Sequence, residues 1–226
     1  MIYVVISDGL NRQSGLINKK GDCRVLRQPQ SLLSTEVNEY IEKTANKITK
    51  SDRSSAYTTL FAALKLFFDA EGFDLKRTEN GKPYLYSSLP CYDKSISVSL
   101  SHSDSIIAVA LSDEGDVGVD IECGVEKEKA ERLERRFLSD ITPENDNIEI
   151  EYYYAGFKEN EAVFEKIVPQ CDTQVDFLSK WVFAESIIKC FGLTFSEISK
   201  INELAGKTKT HIVSINNFKI ATTVAK

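Results

Sequence analysis

The chain has 226 residues, 42% of them hydrophobic and 27% charged, enough apolar material for the core of one large domain or two small ones. Its net charge of -6 argues against nonspecific binding to nucleic acid or to an anionic membrane, both of which need a basic surface that displaces counterions. The first residues are apolar for only one strand's length, without the basic region of a secretion signal, and no segment approaches the ~20 apolar residues of a membrane span. Cys23, Cys91, Cys123, Cys171 and Cys190 are scattered with no CxxC pair, so they read as reduced thiols of a cytoplasmic protein.

Residues 1–7 read as a strand ended by the Asp8-Gly9 pair. Residues 32–49 carry Leu33, Val37, Tyr40 and Ile41 at helical spacing. A second helix is predicted over 53–68, with Leu60, Ala63, Leu64, Phe67 and Phe68 on its core face and Ser51 and Asp52 as caps. The turn Asn80-Gly81-Lys82-Pro83 leads towards strands at 96–100 and 106–111, a hairpin with SHSDS between. An acidic connection at 113–116 marks a domain junction, and 117–122 alternates as a strand.

Further on, 124–138 is amphipathic and helical, 142–151 reads as an acidic, mobile loop, and 175–191 is a long helix stopped by Gly192. Strands at 211–216 and 219–224 finish the chain. A helix followed by a strand pair therefore occurs twice, with IAVAL at 107–111 and IATTV at 220–224 closing the two runs. The predicted fold class is α+β, built as two similar halves, 1–113 and 114–226, with a cleft between them.

Four short segments carry chemistry. Asp120 and Glu122 lie two apart on a strand, so both carboxylates leave one face, where two hard oxygen ligands can hold a divalent cation. Taken alone, that strand is an ordinary half-buried one with a solvated acidic face. Glu185 and Lys189, four apart on the long helix, stack on one side; by themselves they are an ion pair worth about 0.3–0.5 kcal/mol. The sharper alternative makes Glu185 a third carboxylate for the metal and gives Lys189 a phosphate. Ser101, His102 and Ser103 sit at a strand end, either closing a turn through their hydroxyls or presenting hydroxyls and an imidazole to an anion. Gly81-Lys82-Pro83 is a tight turn with one cation, and Arg53 opens the preceding helix. With no GxxxxGK[ST], GxGxxG or GxSxG, neither a P-loop, a Rossmann site nor a hydrolase elbow is indicated.

Taken in order, GKP at 81–83, SLSHS at 99–103, GVDIE at 118–122 and WVFAESIIK at 181–189 resemble the motif series of the phosphopantetheinyl transferases, best the two-halved, surfactin-synthetase-type branch. The resemblance implies two α+β halves related by a pseudo-twofold axis. It also implies transfer of the 4′-phosphopantetheine arm of coenzyme A to a serine of an acyl, polyketide or peptidyl carrier protein, with 3′,5′-ADP leaving. It makes Asp120, Glu122 and Glu185 the ligands of a magnesium or manganese ion, and places Lys189 on the pyrophosphate of coenzyme A. Ser101 and His102 are implied at its phosphates, with His102 and Arg53 at the 3′-phosphate, and the Gly81-Lys82-Pro83 turn beside the nucleotide. Glu185, or else Glu144 on the acidic loop, is implied as the base that accepts the serine proton. The expected species is a monomer.

One position departs from the pattern. The family reads WxxKE, and Ala184 stands here in place of the lysine. That leaves open a rival of another class, a coenzyme A or carrier-binding protein of the same fold that transfers nothing.

Overall fold

The computed structural model describes residues 1–8, 23–27, 33, 35–42, 47–70, 73–87, 96–158 and 160–226. The strands in chain order are β1 (Ile2–Ser7), β2 (Cys23–Arg27), β3 (Phe73–Arg77), β4 (Pro83–Ser87), β5 (Ser97–Ser103), β6 (Ile106–Ser112) and β7 (Val117–Glu122). They continue as β8 (Ile150–Lys158), β9 (Glu161–Ile167), β10 (Gln170–Cys171), β11 (Thr208–Ile215) and β12 (Phe218–Ala225). The helices are α1 (Thr35–Glu42), α2 (Lys47–Phe68), α3 (Lys127–Leu133), α4 (Phe177–Phe191) and α5 (Ile201–Ala205).

The chain is a mixed α+β protein with one six-stranded sheet, β2-β9-β8-β1-β6-β5, one four-stranded sheet, β10-β11-β12-β7, and the hairpin β3-β4. Side-chain alternation decides how these stack. On β6, Ile107, Val109 and Leu111 join a cluster with Leu60, Phe61 and Leu64 of α2, while Ile106, Ala108 and Ala110 join one with Val117, Val119 and Ile121 of β7. A third cluster holds Val182, Phe183 and Ile187 of α4 against Ile212 and Ala221 of the four-stranded sheet. The layers therefore run helix, sheet, sheet, helix. Both faces of β6 are covered, which is why 106–111 is a continuous apolar run rather than an alternating one.

Several boundaries differ from the sequence reading. α2 begins at Lys47, so Ser51 and Asp52 lie inside it rather than capping it, and Arg53 stands well past its first turn. The Asn80-Gly81-Lys82-Pro83 turn closes the β3–β4 hairpin, with Gly81 at φ 88°. The acidic segment after Thr142 is tied to the edge of β11: Asn145 Oδ1 accepts from Ile212 N–H and its Nδ2 donates to Ile212 C=O, and Asp146 N–H donates to Thr210 C=O. The β8–β9 hairpin extends the sheet built on β1, which β8 joins in parallel. A cut at 113/114 thus separates β8 and β9 from the sheet they widen. Gly9 and Cys91 lie outside the described residues; Cys23, Cys123, Cys171 and Cys190 are free thiols. Among the described residues no helix is long and apolar enough to cross a membrane.

Candidate functional site

The outer strand of each large sheet, β5 and β7, meets the other through side chains rather than a backbone ladder. Ser97, Ser99, Ser101 and Ser103 occupy alternate positions of β5, so their hydroxyls share one face. Each accepts a backbone N–H from β7 or its end, in order Val117 at 3.0 Å, Val119 at 3.0 Å, Ile121 at 3.4 Å and Cys123 at 3.2 Å. The exposed donors of an edge strand are thereby satisfied without a neighbouring strand.

This joint brings the carboxylates of β7 under α4. Asp120 is 3% exposed, and its Oδ1 accepts from Ser101 Oγ at 2.8 Å and from Lys189 Nζ at 2.6 Å. Lys189 Nζ also donates to Ser101 Oγ at 2.8 Å. The other oxygen of Asp120, Oδ2, is buried with no hydrogen-bond partner. Glu122 Oε2 accepts from Ser103 Oγ at 2.9 Å. Glu185 reaches the same place from α4: its carboxyl is pushed up to about 7, first by burial and then by the negative charges of Asp120 and Glu122, against the opposing charge of Lys189. Glu122 is raised as well, by burial and then by Asp120. Among the described residues no three His, Cys, Asp or Glu side chains converge tightly enough to chelate an ion as they stand. The positive charge beside Asp120 is the Lys189 ammonium.

α4 is aimed by its two ends. Asp176 caps its start, accepting from Ser179 N–H at 2.9 Å, and Lys219 of β12 grips the same end through Asp172, Asp176 and the Ser179 hydroxyl. Its far end stops at Gly192 in the left-handed region, φ 63°. There the β3–β4 turn takes hold: Asn80 Nδ2 donates to Gly192 C=O at 3.0 Å, and Lys82 Nζ donates to the Cys190 carbonyl and to Asp116. With its side chain 13% exposed, Lys82 is mostly committed to this clasp. Between the turn and α4 lies a cleft of about 180 Å³ whose walls include Arg77, Gly81, Lys82, Pro83, Lys189 and Leu193.

No family model matches this chain, and no curated protein does.

The structure thus gathers Ser101, Asp120, Glu122, Glu185 and Lys189 at one place, and Gly81, Lys82 and Pro83 along the adjoining cleft with Lys189. It separates His102, which alternation turns to the opposite face of β5 from Ser101, where it is exposed on the side packed against α2. Arg53 is half-buried on α2 and already engaged, and Glu144 is exposed on the segment docked to β11. Ala184 is 1% exposed in the cluster under α4, so a lysine there would have to bury its ammonium among apolar side chains. Sequence reasoning missed Arg77, the bond from Ser103 to Glu122, the hold of Asn80 on α4 and the close approach of α4 to Gly118, where a Cβ would lie 1.9 Å from the Ser186 carbonyl oxygen. The period-two serines of SVSLSHS, and a glycine inside a strand, were the available signals.

Three carboxylates crowded around one lysine make the metal-free protein sensitive to pH. A glutamate that titrates near 4.5 unfolded and about 7 folded favours the native state at low pH, and that contribution is lost as pH rises through 7. The melting temperature of metal-free protein should therefore fall between about pH 5 and pH 7.5, and the fall should be shallower in Glu185→Gln. Thermal melts across that range check it; equal slopes for the two proteins would show that Glu185 is not the strained group.

Proposed function

We propose that this protein transfers the 4′-phosphopantetheine arm of coenzyme A to a serine of a carrier protein, releasing 3′,5′-ADP. The observation that carries the reading is the meeting of residues from separate motifs at one site. Ser101, Asp120, Glu122, Glu185 and Lys189 come from three elements, and Lys189 also borders the cleft beside the Gly81-Lys82-Pro83 turn. The donor set suits a hard divalent cation such as magnesium or manganese: it is all carboxylate oxygen, it is mutually repulsive without a cation, and Asp120 Oδ2 is buried and unpartnered. Asp120, Glu122 and Glu185 would hold that ion, which when bound draws charge from the phosphoryl oxygens.

The chain's own groups supply the rest. Arg77 and Lys189 give the cleft its positive groups for the phosphates of coenzyme A, while Lys82 holds the turn against α4, and Lys189 stands where cleft and carboxylates meet. The carrier serine oxygen bonds to the β-phosphorus of coenzyme A as the bond to 3′,5′-ADP breaks and that group leaves with the electron pair. Glu185, on the turn of α4 before Lys189, takes the serine proton, directly or through water. The reading includes two halves about a pseudo-twofold axis. In support, the strand order β1-β6-β5 recurs as β7-β12-β11 with the same antiparallel pairing, and α2 and α4 occupy the matching places between first strand and hairpin. Such halves supply both walls of the site from one chain, so the protein acts as a monomer.

Mass spectrometry of an apo carrier protein incubated with this protein, coenzyme A and magnesium should show the carrier gain one phosphopantetheine group. Fatty-acid, polyketide and peptidyl carriers form the panel. No gain on any of them, with coenzyme A still bound, would leave a binding protein in place of a transferase.

A further inference from the structure

Beneath the carboxylates, the joint between the sheets has a regular pattern with a chemical consequence. Each serine of β5 accepts the N–H of the residue twenty positions ahead and lies beside the residue nineteen ahead. Along β7 those nineteen-ahead residues are Asp116, Gly118, Asp120 and Glu122. Ser97 Oγ reaches Asp116 at 3.4 Å, Ser101 Oγ reaches Asp120 at 2.8 Å and Ser103 Oγ reaches Glu122 at 2.9 Å. Ser99 faces Gly118, which offers no acceptor side chain. A hydroxyl has one proton and two lone pairs; with a lone pair taken by a backbone N–H, the proton turns to the nearest acceptor, Asp120 for Ser101, and for Ser103 the Glu122 carboxylate at 2.9 Å in preference to the weakly accepting Cys123 Sγ at 3.5 Å.

Resting on the metal reading above, we propose that Ser101 and Ser103 are positioning residues for the cation site. Each holds one oxygen of a ligand carboxylate so that the other, Oδ2 of Asp120 or Oε1 of Glu122, is presented to the ion. This assigns Ser101 to the carboxylates rather than to a phosphate of coenzyme A, and it adds Ser103 to the site. The arrangement resembles the outer hydrogen bonds that orient metal ligands elsewhere, whose loss weakens metal binding by about 10–100-fold. Ser103, near the end of β5, is the better test, because Ser101 also carries Lys189.

Mn²⁺ titrated into the whole protein with coenzyme A present, and followed by the loss of the free-ion paramagnetic resonance signal, separates the outcomes. Ser103→Ala should bind Mn²⁺ about 10–100-fold more weakly than the unaltered protein. Ser103→Thr, which keeps the hydroxyl, should restore affinity to within a few-fold. Ser99→Ala removes an equivalent acceptor from the same joint, where no carboxylate is held, and should leave Mn²⁺ affinity unchanged. Equal affinity in Ser103→Ala and the unaltered protein would overturn the positioning role alone, as would equal weakening in Ser99→Ala, which would assign the effect to the joint. No Mn²⁺ binding by the unaltered protein would overturn the metal reading itself, and this inference with it.

Discussion

Asp120→Asn is expected to reduce transfer to the carrier by on the order of 10³-fold while leaving the far-ultraviolet circular dichroism spectrum unchanged. Asparagine has the shape of aspartate and keeps a carbonyl oxygen for the hydrogen bonds from Ser101 Oγ and Lys189 Nζ, so the joint between β5, β7 and α4 persists. What it removes is the charge at the most buried of the three carboxylates. The orphaned Oδ2 becomes an uncharged or donating group aimed at the proposed ion. A second readout follows from the electrostatics. In the metal-free protein Asp120 is the largest charge holding the Glu185 carboxyl up, so Asp120→Asn should make the fall in metal-free melting temperature between about pH 5 and pH 7.5 shallower. Retention of transfer within a few-fold, measured by carrier mass gain at saturating coenzyme A and magnesium, would exclude Asp120 as a ligand.

The parts of this site legible in the sequence are those governed by local geometry. Alternation on 117–122 put Asp120 and Glu122 on one side and Val119 and Ile121 on the other, and helical spacing stacked Glu185 over Lys189; α4 begins two residues after the predicted start at 175 and stops at Gly192 as read. The half-buried, solvated acidic face did not survive, because α4 covers it and leaves Asp120 3% exposed. Non-local register was invisible. Nothing in SVSLSHS says that its serines will lie against β7, since that follows from two sheets packing face to face. His102 was read together with Ser101 because they are neighbours in sequence, yet neighbours on a strand point apart. The start of α2 at Lys47 runs the helix through Ser51 and Asp52, residues whose intrinsic preference is to cap one. β8 went unassigned because Tyr152, Tyr153, Tyr154 and Ala155 are buried on both faces and show no period of two; β9 does alternate from Glu161 to Glu165 but was not assigned.

Gly118→Ala should be the most damaging single-methyl change at the site, and its cause is distance rather than charge. A Cβ at Gly118 would lie 1.9 Å from the Ser186 carbonyl oxygen, 2.5 Å from Cys190 N and 2.9 Å from Cys190 Cα. All three are backbone atoms of α4, so no side chain can rotate away and the whole helix must lift from β7. Overpacking a well-filled core costs about 1–3 kcal/mol, and a backbone collision falls at or beyond the top of that range. For a chain of this size the melting temperature should drop by roughly 10 °C. The lift also carries off Glu185 and Lys189, which sit on the turns beside Ser186 and Cys190, and a displacement of ~1 Å in a reacting group costs about 10²-fold in rate. Gly124→Ala is the matched control. A Cβ there meets nothing within 4 Å, although it stands only two residues from Glu122, so stability and transfer should both be retained. A Gly118→Ala protein that melts within a degree or two of the unaltered one would mean that α4 does not press on β7 as closely as this site requires.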